Sequence, residues 1–168
     1  MVLAKDELIT LLQHEVRILL HLASKVDPAK IDYRPTSKQR SMLELLQYMT
    51  IMGPIHLRAV KADVFDMDAW RSAWTAGEAA AKAMNLEEAK DAIAKQSALF
   101  VDVLGSCSDA DLRAEIKMFG STASRGSMIV NLVLCHYAAY RMQLFLYLKA
   151  CGREELNTMN LWAGTDAV

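Results

Sequence analysis

The sequence predicts an all-α protein, and three observations support this fold class. Apolar residues recur at steps of three and four along four long segments, which is the period of an amphipathic helix. No segment alternates between apolar and polar residues over the length of a half-buried strand. The 168 residues include only seven glycines and three prolines, whereas a β protein needs many turns. We therefore expect residues 1–168 to form one domain, an antiparallel helix bundle.

Composition and charge exclude several classes of protein. Apolar types make up 53% of the chain and the net charge is −1, which excludes the disordered class. The near-neutral charge lacks the surplus of Lys and Arg that nucleic-acid binding requires. The longest uncharged stretch, residues 126–140, is shorter than the roughly 20 residues of a membrane span. With no secretory signal at its start and three cysteines outside any CxxC spacing, the chain is expected to be soluble and cytoplasmic.

The first predicted helix covers about residues 5–26, where Leu8 and Leu12 begin a single apolar stripe. Pro28 ends it, because the proline ring disfavours helical geometry in the residue before it. The polar residues 29–40 are predicted to form a connecting loop.

The second helix is predicted to start at Ser41, which has the spacing of a capping box with Glu44. We expect a kink or break at Gly53-Pro54, because proline lacks a backbone N–H and its ring clashes with the preceding turn. After an acidic loop, residues 70–83 predict a short helix.

Two further long helices follow. Residues 85–104 begin with a second capping signature, and we expect Gly105 to end this helix in the left-handed conformation. The last helix covers about residues 127–150, with Gly152 as its C-terminal cap. The apolar tail, residues 158–162, is predicted to pack back on the bundle.

The last helix carries a line of polar side chains on one face. His136, Tyr140, Gln143 and Tyr147 follow one another at helical spacing on an otherwise apolar segment. Each buried polar group left without a partner would cost about 1–3 kcal/mol. The line is therefore either a binding site or a hydrogen-bonded network.

Residues 131–144, NLVLCHYAAYRMQL, with Gly152 after them, resemble the last-helix signature of the DinB-like (YfiT-like) metalloenzyme superfamily, H-x-x-x-H-R-x-Q-L. Residues 34–46 resemble the loop and second-helix start of the same superfamily through Arg34-Pro35, Arg40-Ser41 and Glu44-Leu45-Leu46. The resemblance implies an up-down-down-up four-helix bundle with short extra helices, often dimeric. In the metal-binding members a divalent ion is held by three histidines, one on the second helix and two on the last.

This chain departs from that pattern at two of the three ligand positions. His136 matches the first histidine of the last helix, but Tyr140 and Tyr48 stand where the other two histidines belong. Catalytic zinc sites typically use three protein ligands, and neutral phenols with a reference pKa near 10 replace imidazole poorly. We therefore predict a degenerate metal site with no cofactor. The alternative is an enzyme that keeps Zn, Ni or Fe.

Other residues are weaker candidates for chemistry. Glu44 lies one turn before Tyr48 and could reach an ion, although its capping role competes for the carboxylate. His56 lies beyond the expected break and is interpreted as a surface or loop histidine. His14 and His21 are interpreted as part of a solvated face, and Cys135 as a buried, inert thiol.

The leading hypothesis is a small-molecule binding or interaction protein, expected to be a homodimer, that binds its ligand in the former metal cleft. The residues predicted to bound this cleft are Tyr48, His136, Tyr140 and Gln143. Arg34 or Arg141 would stand at its mouth if the ligand is an anion. In this hypothesis the tyrosines and His136 share hydrogen bonds in the volume that an ion fills in relatives.

The sequence leaves open whether the chain is an enzyme. The resemblance implies metal-dependent thiol S-transfer, isomerase or hydrolase chemistry, in which His136 could act as a general base and Tyr140 as a proton donor. A third hypothesis, a scaffold without a ligand, predicts a dry cluster and no cleft.

Overall fold

Helices form most of the computed structural model, which describes residues 3–166. In chain order they are α1 (Lys5–Ala23), α2 (Met42–Lys61), α3 (Met67–Lys82), α4 (Leu86–Ala94), α5 (Gln96–Gly105), α6 (Asp109–Arg113), α7 (Arg125–Ile129) and α8 (Cys135–Ala150). A π-helical turn, Val130–Leu134, joins α7 to α8, and a second one, Met159–Ala163, lies in the tail. The all-α prediction is confirmed.

Four helical units surround the core. α1 packs against α5 and α8, while α2 packs against α3, α4, α5 and α8, so α1, α2, α4–α5 and α7–α8 form the bundle and α3 lies along α2. Each bundle helix contributes fully buried apolar side chains, among them Leu12, Met49, Ile93, Phe100 and Leu144. The tail packs back as predicted, because Asn160 and Leu161 are buried against this body.

α2 runs as one helix through Pro54, so the predicted break there is wrong. Pro54 has no N–H to donate to the Thr50 carbonyl, so this carbonyl has no hydrogen-bond donor within the helix. The side-chain amide of Gln96 supplies donors instead, at 2.9 Å from the Met49 oxygen and 3.2 Å from the Thr50 oxygen. The Tyr137 hydroxyl in turn donates to the Gln96 carbonyl. A buried hydrogen-bond chain from α8 through α5 thus supplies α2 with the donor that its proline lacks.

The segment predicted as one helix over residues 85–104 is divided into α4 and α5 at Lys95. The division falls next to Gln96, the residue whose side chain is bonded to the α2 backbone. Gly105 ends α5 without a positive φ, contrary to the prediction, whereas Gly152 has φ 97° and is the expected cap.

A small hairpin, absent from the sequence prediction, precedes the last helix. β1 (Glu115–Met118) pairs antiparallel with β2 (Ser121–Ser124) across a two-residue turn. Both turn residues have positive φ, 49° for Phe119 and 82° for Gly120, as in the tight turns that suit hairpin twist. The strand EIKM alternates polar and apolar residues, but over only four positions.

One helical segment of the described residues, Arg125–Ala150, is long and apolar enough by length and composition alone to cross a membrane. In the structure its buried face belongs to the core through Val133, Tyr137, Leu144 and Leu148. It therefore packs as one helix of the bundle.

At Gly53, α2 lies so near the hydrogen-bond chain that it leaves little room for a side chain. A Cβ at this position would lie 2.9 Å from both the Gln96 Oε1 and the Tyr137 hydroxyl. We expect Gly53→Ala to lower the free energy of unfolding by about 1–3 kcal/mol, measured by urea denaturation, because these buried groups must move. Gly105→Ala is the matched control, since its Cβ meets nothing within 4 Å. Equal stability of the two variants would contradict this account of α2.

Candidate functional site

Three of the four residues predicted to bound the cleft, Tyr48, His136 and Tyr140, come together between α2 and α8. The ring centroids of Tyr48 and Tyr140 lie 4.9 Å apart. The rings of His136 and Tyr140 are nearly parallel, with centroids 6.2 Å apart and an interplanar angle of 11°. The two phenols and the surviving imidazole are therefore neighbours.

His56 is a second imidazole at this site, and its prediction as a surface or loop histidine is wrong. Only 6% of His56 is exposed, and its ring stacks on His136 at 5.9 Å with an interplanar angle of 13°. Because α2 stays helical through Pro54, it carries His56 inward as well as Tyr48. The sequence signal was the helical spacing to Tyr48, which the proline obscured.

The indole of Trp74 completes a closed ring of aromatic contacts. Trp74 of α3 lies 5.8 Å from Tyr48 and 5.4 Å from His56, measured between ring centroids. We call the resulting set the five-ring cluster; its members are Tyr48, Tyr140, His136, His56 and Trp74. Aromatic pairs at these separations attract one another beyond the effect of burial, by about 0.5–1.5 kcal/mol each.

The hairpin turn covers one side of the five-ring cluster. Phe119 lies 6.3 Å from His56 and 5.1 Å from Trp70, and Phe65 packs on its ring at 4.9 Å. Phe119 remains 42% exposed, so it forms the outer layer of this cover.

Burial favours the neutral form of two members of the cluster. The His56 Nδ1 lies 2.9 Å from the Met52 carbonyl oxygen, which can only accept, so this nitrogen carries the proton. Burial lowers the pKa of His56 and the neighbouring His136 lowers it further, although the bond to Met52 opposes this. Burial raises the pKa of Tyr48 well above its ordinary value, and the Tyr140 hydroxyl adds to the rise.

Hydrogen bonding differs from the predicted network. Among the described residues no hydrogen bond joins the His136 ring to Tyr140, and the contact between them is a ring stack. Gln143 donates to the Tyr147 hydroxyl, one turn further along α8, rather than to the cluster. The buried His136 Nδ1 and Trp70 Nε1 have no partner within residues 3–166. The cluster is thus held by packing more than by shared protons.

Arg141 does not stand at the mouth of a cleft. It is 4% exposed, its Nε lies 3.2 Å from the Glu15 carboxylate of α1, and the Trp162 ring covers its guanidinium at 4.6 Å. Burial raises the pKa of Glu15, while the charge of Arg141 opposes the rise. Neighbouring residues on a helix point about 100° apart, so Arg141 faces α1 when Tyr140 faces α2.

An open cleft of about 540 Å³ lies beside Tyr48, between the loop before α2, the start of α2 and the end of α3. Its side-chain lining includes Asp32, Arg34, Lys38, Arg40, Glu44, Gln47, Tyr48, Glu78 and Lys82. The Arg40 guanidinium lies 4.0 Å above the Tyr48 ring. Tyr48 therefore belongs to both the cleft and the five-ring cluster, whereas His136, Tyr140 and Gln143 do not line this cleft.

Glu44 and Arg34 meet at the edge of the cleft. The Ser41 amide donates to the Glu44 carboxylate at 2.8 Å, which confirms the predicted capping box. The same carboxylate lies 3.2 Å from the Arg34 guanidinium. Glu44 is thus engaged twice and is not directed toward His136.

The donor set does not fit a three-histidine metal site. Within residues 3–166, no three His, Cys, Asp or Glu side chains lie close enough to share one ion. The Cys135 thiol is exposed rather than buried as predicted. His14 bonds to Arg17 and His21 to Asn160, on the far side of the bundle.

Acid is expected to destabilise the fold through His56. Because the folded chain lowers the pKa of His56, the unfolded chain binds its proton more readily. Its contribution to the free energy of unfolding is complete above the unfolded pKa, near about 6.5, and is lost as the pH falls below it. Urea denaturation between pH about 7.5 and about 5.5 should show a smaller loss in His56→Asn than in the wild type. His14→Asn, outside the cluster, should match the wild type, and the same loss in all three would contradict this assignment.

A solved structure shares this architecture. The crystal structure of YjoA, a DinB-like protein from Bacillus subtilis, matches the chain with a TM-score of 0.67 at 16% sequence identity, over 90% of this chain and 95% of that one. No protein-family model and no curated protein matches the chain by sequence. Likeness at this identity shows the fold, and it agrees with the resemblance in the last helix. The chain has the DinB-like fold.

Proposed function

We propose that the chain is a small-molecule-binding protein of DinB-like fold that works without a divalent metal and binds its ligand in the cleft beside Tyr48. The contact between Tyr48 and Tyr140, at 4.9 Å, is the observation that carries this proposal. Where the superfamily pattern has imidazoles, this chain packs two phenols against each other and against His136.

The chemistry of these groups supports the loss of the metal. A metal ligand must present a lone pair, and a phenol does so well only when it is deprotonated. The raised pKa of Tyr48 favours the protonated phenol at every ordinary pH. His56 and His136 supply two imidazoles, but they are stacked face to face rather than directed at a common point.

The cleft supports the binding of a small molecule. Ligand sites commonly have volumes of about 300–1,000 Å³, and this cleft has about 540 Å³. Tyr48 forms part of its wall, and Tyr140 and Trp74 hold that ring from behind. The wall is therefore fixed before a ligand arrives, which reduces the entropic cost of binding.

Metal analysis of two proteins made in parallel tests the proposal. The wild type, purified without a nickel column, is expected to contain far less than one equivalent of Zn, Ni or Fe. Tyr48→His combined with Tyr140→His, which restores three imidazoles with His136, is expected to bind zinc at least about tenfold more tightly than the wild type. Tyr147→His is the control outside the cluster. Near-stoichiometric metal in the wild type would refute the proposal, and no gain in a folded double variant would show that these positions do not converge.

The alternative, a metal-dependent enzyme of the DinB-like type with thiol S-transfer, isomerase or hydrolase activity, is favoured by one observation. His56 adds a second imidazole beside His136, whose Nδ1 has no partner in the described part of the chain. In that case the wild type would bind zinc, His56→Asn would weaken the binding, and His136→Ala would abolish turnover.

We also propose that the chain forms a homodimer and resides in the cytoplasm. The exposed stripe of Arg125–Ala150 supports the dimer, because it carries no charge; its residues are Asn131, Cys135, Ala139, Met142 and Leu146. Pairing two copies of such a stripe would bury Met142 and Leu146, which are 37% and 56% exposed.

Sedimentation equilibrium tests the dimer. Leu146→Glu would place a carboxylate in the paired stripe, so we expect it to shift the protein to monomer. Val101→Glu alters an exposed apolar residue of α5 and should leave the dimer intact. A monomeric wild type would refute the dimer.

A further inference from the structure

We infer that the ligand of the cleft beside Tyr48 is an organic anion with a flat ring. This inference rests on the proposed function and adds the chemical class of the ligand. It is carried by the charges of the cleft wall and by the position of Arg40 on Tyr48.

The cleft has an excess of basic side chains once internal pairs are removed. Its basic residues are Arg34, Lys38, Arg40 and Lys82, and its acidic residues are Asp32, Glu44 and Glu78. Arg34 and Glu44 neutralise each other at 3.2 Å. Lys38, Arg40 and Lys82 have no ion-pair partner in the described part of the chain, and they outnumber the remaining carboxylates.

Side chains, rather than backbone amides, would hold the anion. The start of α2 lies in the wall, and its helix dipole adds positive potential. Its first amides are already engaged, however, since Met42 donates to Tyr33, Leu43 to Ile31 and Glu44 to the Ser41 hydroxyl. An anionic group of the ligand would therefore be bound by the three unpaired basic residues.

The flat ring follows from the stack at the wall. The Arg40 guanidinium lies over the Tyr48 ring, with its Cζ 4.0 Å from the ring centroid. A planar guanidinium also stacks on its outer face, so a ligand ring can continue the stack while its acidic group reaches Lys38 or Lys82. Because Tyr140 and Trp74 pack behind Tyr48, the stacking platform does not have to be ordered by the ligand.

Two fluorescent dyes with the same rings but different charge distinguish recognition of the anionic group from recognition of the ring shape. The probes are 8-anilinonaphthalene-1-sulfonate, an aryl anion, and N-phenyl-1-naphthylamine, which lacks the sulfonate. We expect the wild type to bind one sulfonate dye per chain. Arg40→Gln and Lys82→Gln should each weaken this binding at least about fivefold, and Glu78→Gln should strengthen it, because each change alters charge in the cleft.

Lys117→Gln is the matched control, because Lys117 is an exposed, unpaired residue of β1 outside the cleft. It should leave sulfonate binding unchanged, and Lys82→Gln should change binding of the neutral dye less than about twofold. Circular dichroism checks that each variant is folded.

The inference is overturned if the sulfonate dye does not bind, or if Lys82→Gln and Lys117→Gln change its binding equally. It is also overturned if Leu146→Glu abolishes the binding, because the dye would then occupy the α8 stripe. If both dyes bind and respond equally to the charge variants, the assignment of an anionic ligand is overturned, but the proposed function is not contradicted. Failure of the proposed function is seen separately, as stoichiometric metal in the wild type.

Discussion

The continuity of α2 across Pro54 is the constraint on which the site depends. An unpaired buried carbonyl costs about 1–3 kcal/mol, and Pro54 creates one at Thr50. Gln96 and Tyr137 satisfy it from two other helices, so the helix that begins at Ser41 also carries His56 into the interior. With a break at Pro54 the site would contain one imidazole and no closed circuit of rings.

Tyr48 separates two environments of opposite chemistry. Behind it lies the five-ring cluster, where the burial that lowers the pKa of His56 also raises that of Tyr48, which favours the neutral form of both groups. In front of it the cleft is open and lined by charged side chains. A metal ion would need ligands directed at one point, whereas the stacked rings gain most of their energy by facing one another. In the proposed function the ligand is therefore bound at the cleft wall and not by an ion in the interior.

Local patterns predicted much of the helical structure, and non-local contacts account for the errors. The capping box of Ser41 and Glu44 and the cap at Gly152 are set by residues three or four positions apart, and both are as predicted. The hairpin was missed because four alternating residues and a Phe-Gly turn are a weak signal beside the usual Asn-Gly. Lys95 divides a predicted helix next to Gln96, whose partners lie on α2, far away in sequence.

The sequence by itself determined most of the helices and the capping box at Ser41, because a period of 3.6 residues assigns each side chain to a helix face. Its resemblance to the DinB-like superfamily, rather than that period, grouped Tyr48 with His136 and Tyr140. Only the tertiary structure decided which faces meet. It placed His56 inside, turned Arg141 toward Glu15 and left Gln143 with Tyr147. The physical reason is that burial, pairing and pKa depend on atoms supplied by other helices, and helical periodicity specifies direction but not the partner that occupies it.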